Sequence, residues 1–442
     1  MDKKRTFQYW QWRVIISSMI GYSMYYFVRK NFSFAMPVLN EEYGISNTSF
    51  GIILTLVGLI YGVSKFINGI ISDRTNARWH LAFGLVICVI LNMLFGWSDV
   101  LSTMITGREG GPDFVNTMVV IMAILLILNN IFQGCGFAPC NHLLAHWIPP
   151  KELATKTALW NTSHSVGASI VSIICGYIIA STGDWRYCFW LPAAIAGIGV
   201  LFIIVTLRDT PKSVGLPELA DTRTELDEDD SNEAFKEFIK KKVFRNPIIW
   251  MLGLTALFVY IVRFAILDWG PTFLQDRDTP LSPQFAGWSI AIFEIAGCAG
   301  MICAGWISDK FFRGKTHRMC AVEMFLVAIC LLIVHYLPDS ASPVTVLSLL
   351  ALAGFLIYGP QALLGVVATK QATKKAASSA VGLIGIMSYL SVIFTGVGLG
   401  WYSDNFGWDN LFILMSAVAV IGGLVMVCLW NIKDDGYIHD EK

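Results

Sequence analysis

The chain has 442 residues, 55% of them hydrophobic and 14% charged, with a mean hydropathy of +0.59 and 32 basic residues balanced by 32 acidic ones. So apolar a composition excludes a soluble globular protein, and neutral charge with basic clusters that alternate with apolar runs excludes a nucleic-acid-binding face. The ten cysteines lie almost wholly in apolar segments without metal-ligand spacing, which assigns them no redox or metal role and implies no cofactor.

In chain order, stretches of roughly 20 mostly apolar residues, the length a bilayer requires, fall near 11–36, 50–71, 80–100, 115–140, 155–181, 186–206, 248–270, 285–308, 319–337, 343–368, 376–403 and 408–430. Alternating short segments of barrel type are absent, so the class is all-α with twelve expected membrane helices. The basic leader "MDKKRTFQYWQWR" lacks a small-residue cleavage site and is read as part of a retained first span. Lys and Arg resist translocation, and with the N-terminus inside, 25 of the 32 fall in internal segments. Both termini are therefore expected to be cytoplasmic, in a multi-pass protein of the inner (plasma) membrane.

The longest polar break, 207–247, reads as a cytoplasmic linker with an amphipathic helix near 232–243, between a bundle at 1–206 and another at 248–442. The halves resemble repeats: "YFVR" at 26–29 returns as "YIVR" at 260–263, and "GIISDR" at 69–74 as "GWISDK" at 305–310. Pro139 and Trp185 pair with Pro360 and Trp408 at a shorter offset, so the first half carries an insertion, for which "STMITGREGGPDF" at 102–114 is the candidate, as an external loop. Two pseudo-symmetric six-helix bundles around a central cavity follow from this pattern.

Four cations lie inside spans: Arg29, Lys30, Lys65 and Arg263. Each costs about 2.5–3.5 kcal/mol at a span centre, so such residues normally face a cavity on a substrate path. The in-span carboxylates are Asp268 and Glu294, with Glu323 nearer an edge; this leaves about two surplus positive charges, which an anionic ligand would complete. A phosphate monoester matches two guanidinium forks in charge and acceptors. On the faces of these cations stand Tyr22 and Tyr26 (before Arg29), Tyr61 (before Lys65), Tyr260 (before Arg263) and Asn161 (before His164). His164 would gain a proton beside a phosphate. Lys30 points about 100° away from Arg29, and a Lys30–Asp268 bridge between the halves is the expected gate. His142 and His146 lack the glutamate of a metalloprotease motif, and no P-loop is present. The acid and base of "SDR" and "SDK" are expected to clasp neighbouring helices.

The strings "YYFVRKNFSFAMP", "YGVSKFINGIISDR", "FQGCGFAPC", "WNTSHSVGA", "VYIVRFAILDWGPTFL", "FLIYGPQALLG" and "KKAASSAVGLIGIMSYL" resemble the organophosphate:phosphate antiporters of the major facilitator superfamily over nearly the whole chain. The resemblance implies alternating access and exchange of a phosphorylated metabolite for inorganic phosphate by a protein that functions as a monomer in the lipid bilayer, without enzymatic chemistry. It assigns the phosphate grip to Arg29 and Arg263, supporting roles to Lys65, Tyr61, His164 and Asn161, and further tyrosines to Tyr22, Tyr26, Tyr260, Tyr358 and Tyr389. Lys30 and Asp268 match the family's interdomain bridge. Cys135 and Phe137 stand where relatives often have tryptophan. The strings favour glycerol 3-phosphate, with a hexose 6-phosphate antiporter and a non-transporting sensor of sugar phosphate as rivals; a proton-coupled drug exporter would want acidic residues in place of surplus cations.

Overall fold

A computed structural model of the chain describes residues 3–72, 75–217, 237, 240–276, 280–312, 315–338, 341–408 and 410–432. The regular structure described is helical throughout. The first half holds α1 (Lys3–Phe27), α2 (Phe32–Tyr43), α3 (Asn47–Ser72), α4 (Ala77–Phe95), α5 (Ser98–Thr106), α6 (Pro112–Trp147), α7 (Pro150–Thr182) and α8 (Tyr187–Thr206). The second half holds α9 (Pro247–Gln275), α10 (Pro283–Phe311), α11 (Thr316–His335), α12 (Pro343–Ile393), α13 (Leu399–Phe406) and α14 (Leu411–Cys428). Two compact units result, one of residues 1–221 with 281–291 and one of residues 222–280 with 292–442.

Eleven stretches among the described residues are long and apolar enough to cross a membrane, against the twelve expected. The difference lies in the first span, where α1 stops at Phe27 and α2 begins at Phe32. Neither proline nor glycine stands at this break. The carbonyl of Val28 instead accepts hydrogen bonds from Asn92 Nδ2 (3.0 Å), Asn129 Nδ2 (2.9 Å) and Gln133 Nε2 (3.3 Å). Gln133 also donates to the Tyr25 carbonyl (3.1 Å), while Asn31 Nδ2 donates to Asn92 Oδ1 (2.9 Å) and the Cys188 carbonyl (3.0 Å). Free backbone carbonyls at membrane depth are tolerated only where protein satisfies them, which these side chains do.

Three other expectations meet a different local structure. The 102–114 segment is half helix: α5 runs to Thr106, and Gly107 and Gly111 (φ 65° and 91°) turn the chain into α6. The break expected between 368 and 376 is helical backbone, because "KKAASSA" contains good helix formers and no glycine or proline, so α12 runs continuously for 51 residues. The linker helix near 232–243 lies largely outside the described residues, and Lys240–Phe244 forms a single π-helical turn. Asp73 and Arg74 of "SDR" are also outside them, as is the side chain of Asp309; Lys310 lies over the ring of Trp306 on its own helix (4.6 Å).

Within each unit the packing repeats. α1 packs on α8 as α9 packs on α14, α4 on α8 as α11 on α14, and α4 on α6 as α11 on α12. Large apolar side chains line the outer faces at helical spacing, such as Leu191, Ile198, Leu201 and Val205 of α8, as a lipid-facing helix requires.

The amide cluster at Val28 makes a direct prediction. Asn129→Leu keeps the volume but removes one donor from a buried carbonyl, at a cost of about 1–3 kcal/mol. A thermal-shift measurement in detergent should show a clearly lowered melting temperature, while Asn405→Ala on exposed α13 surface should leave it unchanged; equal behaviour of the two would remove the cluster from the stability of the break.

Candidate functional site

In the first unit the α1–α2 break carries Arg29 and Lys30, and it presents Arg29 beside a cluster of rings. The Arg29 guanidinium lies over the Tyr61 ring at 3.7 Å and near the Tyr26 ring at 5.6 Å. Tyr61 comes from α3 and is 2% exposed. One turn further along α3, Lys65 places its ammonium 3.8 Å from the Phe137 ring of α6, which stands at one of the positions where the sequence departs from its resemblance. Tyr22 stacks on Trp160 of α7 (4.9 Å, 23°) and meets Tyr26 edge-on (5.5 Å), and Tyr26 lies 5.8 Å from the His164 imidazole. His164 Nδ1 hydrogen-bonds the Asn161 carbonyl on its own helix. If that nitrogen donates, Nε2 remains the acceptor in the neutral ring and becomes a second donor on protonation.

The structure therefore gathers Tyr22, Tyr26, Arg29, Tyr61, Lys65 and His164, with Asn161 behind the histidine, from three helices. Among the described residues, the first half has its acids at helix ends or connections, at Glu41, Glu42, Asp99, Glu109, Asp113, Glu152 and Asp184. Aromatic faces are what the cations rest on here, each contact worth about 0.5–2 kcal/mol.

The second unit treats its arginine differently. Arg263 of α9 is 8% exposed; one guanidinium nitrogen donates to the Tyr358 hydroxyl at 2.8 Å and to Glu294 Oε1 at 3.4 Å. The Tyr358 ring also lies under the guanidinium (4.7 Å), with Phe264 and Tyr260 slightly farther away (5.7 and 5.9 Å). Tyr389 of α12 stands 6.4 Å from Tyr260. Gly297 makes room for this arrangement, since a Cβ there would come within 2.6 Å of Tyr358 ring carbons. Glu294 is 1% exposed and acts as the arginine's ion partner, a role that sequence reasoning leaves unassigned. Its signal was present as an in-span carboxylate, but no spacing rule links α9 to α10. Asp268 lies five residues, well over a turn, beyond Arg263 on α9, and Lys30 lies at the α1–α2 break; the two belong to different units.

Sequence reasoning also missed Asn92, Asn129 and Gln133, which shape the site from behind, and Trp160, on which Tyr22 stacks. In-span amides were visible as a class; their convergence on one carbonyl was not. His142 and His146 pack ring on ring (4.2 Å), with His146 Nδ1 bonded to the His142 carbonyl (2.9 Å).

Comparison with known proteins gives these residues their setting. The Major Facilitator Superfamily profile matches residues 18–396. The chain is 36% identical over 426 residues to the "Glycerol-3-phosphate transporter" of Bacillus subtilis (strain 168), covering 95% of this chain and 92% of that protein. It is 33% identical to the "Probable hexose phosphate transport protein" of Chlamydia pneumoniae (97% and 93% covered) and 32% identical to the "Membrane sensor protein UhpC" of Escherichia coli (strain K12) (96% and 93% covered). Among solved structures, the inward open xylose transporter XylE from E. coli superposes with a TM-score of 0.72 at 17% identity, covering 94% of this chain and 96% of that one. The chain is thus a multi-pass, all-α member of the major facilitator superfamily, not an enzyme, and is related to that superfamily's glycerol-3-phosphate and hexose-phosphate transporters.

Proposed function

We propose that this protein exchanges a phosphorylated metabolite, with glycerol 3-phosphate favoured, for inorganic phosphate by alternating access between two pseudo-symmetric halves. The observation that carries the reading is the cluster of cations and hydroxyl donors in the first unit: Arg29 and Lys65 beside Tyr22, Tyr26, Tyr61 and His164. A phosphate monoester supplies negative charge to such cations and accepts hydrogen bonds in three directions. The relatedness to a glycerol-3-phosphate transporter over nearly the full chain supports the same substrate class.

In this reading Arg29 and Arg263 are the two arms of the grip. The second arm starts from an occupied state, because Arg263 is held by Glu294 and Tyr358. Bound ester competes with Glu294 for the guanidinium, and its dianion wins through charge and a bidentate fork. Engagement of both arms by one dianion lowers the barrier to reorientation, whereas the empty carrier lacks the ligand that draws the two arms together; this makes exchange obligatory. Lys30 and Asp268 serve as the bridge that opens and closes between the halves. The carrier works as a monomer with both termini cytoplasmic.

Proteoliposomes loaded with inorganic phosphate should take up labelled glycerol 3-phosphate, and equal uptake into phosphate-free liposomes would overturn exchange. Counterflow against a panel of esters separates the substrates: hexose 6-phosphate outcompeting glycerol 3-phosphate would shift the assignment to the hexose branch, and tight binding with no flux would support a sensor.

The two arms predict distinct losses. Arg29→Lys and Arg263→Lys each keep the charge but lose the fork, and ester affinity measured by calorimetry should fall by roughly 30-fold or more, given the 2–5 kcal/mol typical of a broken buried charge pair. Tyr358→Phe removes the hydroxyl that positions the guanidinium and should weaken binding by about tenfold or more, the value of one hydrogen bond to a charged group. Glu294→Gln removes the ester's competitor and should tighten binding; weakened binding would place Glu294 among the groups that contact substrate directly.

A further inference from the structure

At one end of the first unit three arginines converge on the C-terminus of α8. Arg13 Nε donates to the Thr206 carbonyl (3.2 Å), Arg78 to the Ile204 carbonyl, and Arg208 Nη1 to the carbonyls of Leu207 (2.7 Å) and Val205 (3.1 Å). Capping of α8 accounts for these bonds, since its last carbonyls have no intrahelical partner and carry the negative end of the helix dipole. It does not account for the charge. Three full positive charges answer about half a negative one, and no carboxylate among the described residues lies within 4.0 Å of any of the three. Asp209, next in sequence, spends Oδ1 on the Ala77 amide (2.7 Å). Arg13 adds a long contact to the Tyr9 hydroxyl (3.4 Å). With five N–H donors per guanidinium, each arginine has most of its donors left over.

Aromatic and apolar groups complete the place. Arg13 and Arg208 both lie against the Trp10 ring (4.7 and 5.8 Å), and Arg78 lies against Trp79 (4.9 Å). Moving from the arginines toward the middle of the span, α4 exposes Trp79 and Phe83 (54% and 58%) and α8 exposes Val205 and Leu201 (64% and 65%), both pairs at i, i+4 spacing on helices that pack together. Arginines at a span end, tryptophans beside them and bare apolar side chains below follow the polarity of a phospholipid from headgroup to acyl chain.

We propose that Arg13, Arg78 and Arg208 form a binding site for the phosphodiester of an anionic phospholipid, with Trp10 and Trp79 at headgroup depth and the acyl chain against Phe83, Leu201 and Val205. The site lies at the end of the bundle that the lysine and arginine count places in the cytoplasmic leaflet, and it does not depend on the transport reading. A lipid is the source rather than a soluble phosphate ester, because the exposed apolar strip continues directly from the arginines.

Delipidated protein in nonionic detergent, titrated with lipid in a thermal-shift assay, tests this. Phosphatidylglycerol should stabilise at concentrations on the order of tenfold lower than phosphatidylcholine, since each basic residue near an anionic surface contributes about 1 kcal/mol. Arg13→Gln and Arg208→Gln should each reduce that preference several-fold, and Arg245→Gln, on an exposed turn elsewhere, should not. Equal stabilisation by both lipids, or a full preference in both variants, would overturn the site. Inorganic phosphate stabilisation that disappears in Arg13→Gln and Arg208→Gln but persists in Arg263→Gln would assign the arginines to a soluble anion and overturn the lipid. Should the arginine variants fail to fold, brominated lipids offer a second readout. Brominated phosphatidylglycerol should quench wild-type tryptophan fluorescence more than brominated phosphatidylcholine, and Trp79→Phe should lose much of that difference; no difference in the wild type would overturn the proposal.

Discussion

The carbonyl of Val28, held by Asn92, Asn129 and Gln133, is the contact from which the first unit's site follows. A helix through a bilayer normally spends every backbone group on itself. Here side chains from α4 and α6 take over that carbonyl, so α1 can stop within its span without an orphaned acceptor. Arg29 and Lys30 sit in the resulting turn, where their backbone amides bond the Tyr26 carbonyl (3.3 and 3.1 Å). Two adjacent cations in a continuous helix would be fixed about 100° apart. A break frees the chain from that geometry, and Arg29 lies over the Tyr61 ring.

The two units set their equivalent arginines in different surroundings. In the second, Arg263 has a carboxylate and a phenol within hydrogen-bonding reach, so its charge is met inside the protein. In the first, Arg29 and Lys65 lie over ring faces, which attract a cation. Sequence duplication made "YFVR" and "YIVR" look equivalent, and their positions at a tyrosine three residues upstream are indeed alike. Their environments are not.

Much of this was legible in the residues. Span length and apolar content gave the helical class, and the repeat gave packing partners that recur within the two units. The in-span cations named most of the cluster, because charge inside a bilayer is rare enough to carry meaning alone. What escaped the sequence were relations between helices with no fixed spacing. Asn92, Asn129 and Gln133 come from two helices and converge only after folding. Glu294 was visible as a charge but not as the partner of Arg263. The break at Val28 escaped for a related reason: with no glycine or proline to announce it, it depends on tertiary donors and not on local propensity.

Glycine in the second unit shows how finely such relations are set. Gly297 lets the ring of Tyr358 lie flat against α10, and Gly359, the next residue after that tyrosine, leaves space for the carboxyl of Glu323, whose oxygens would be 2.2 and 2.3 Å from a Cβ there. The tyrosine is thereby packed closely against α10, and the residue after it against Glu323 of α11. Its hydroxyl has little freedom to move away from Arg263, and a hydrogen bond whose donor and acceptor are both immobilised by packing loses less entropy on forming than one between flexible side chains. The close approach at Gly297 thus helps place the Tyr358 hydroxyl that Arg263 bonds, beside the ion pair with Glu294.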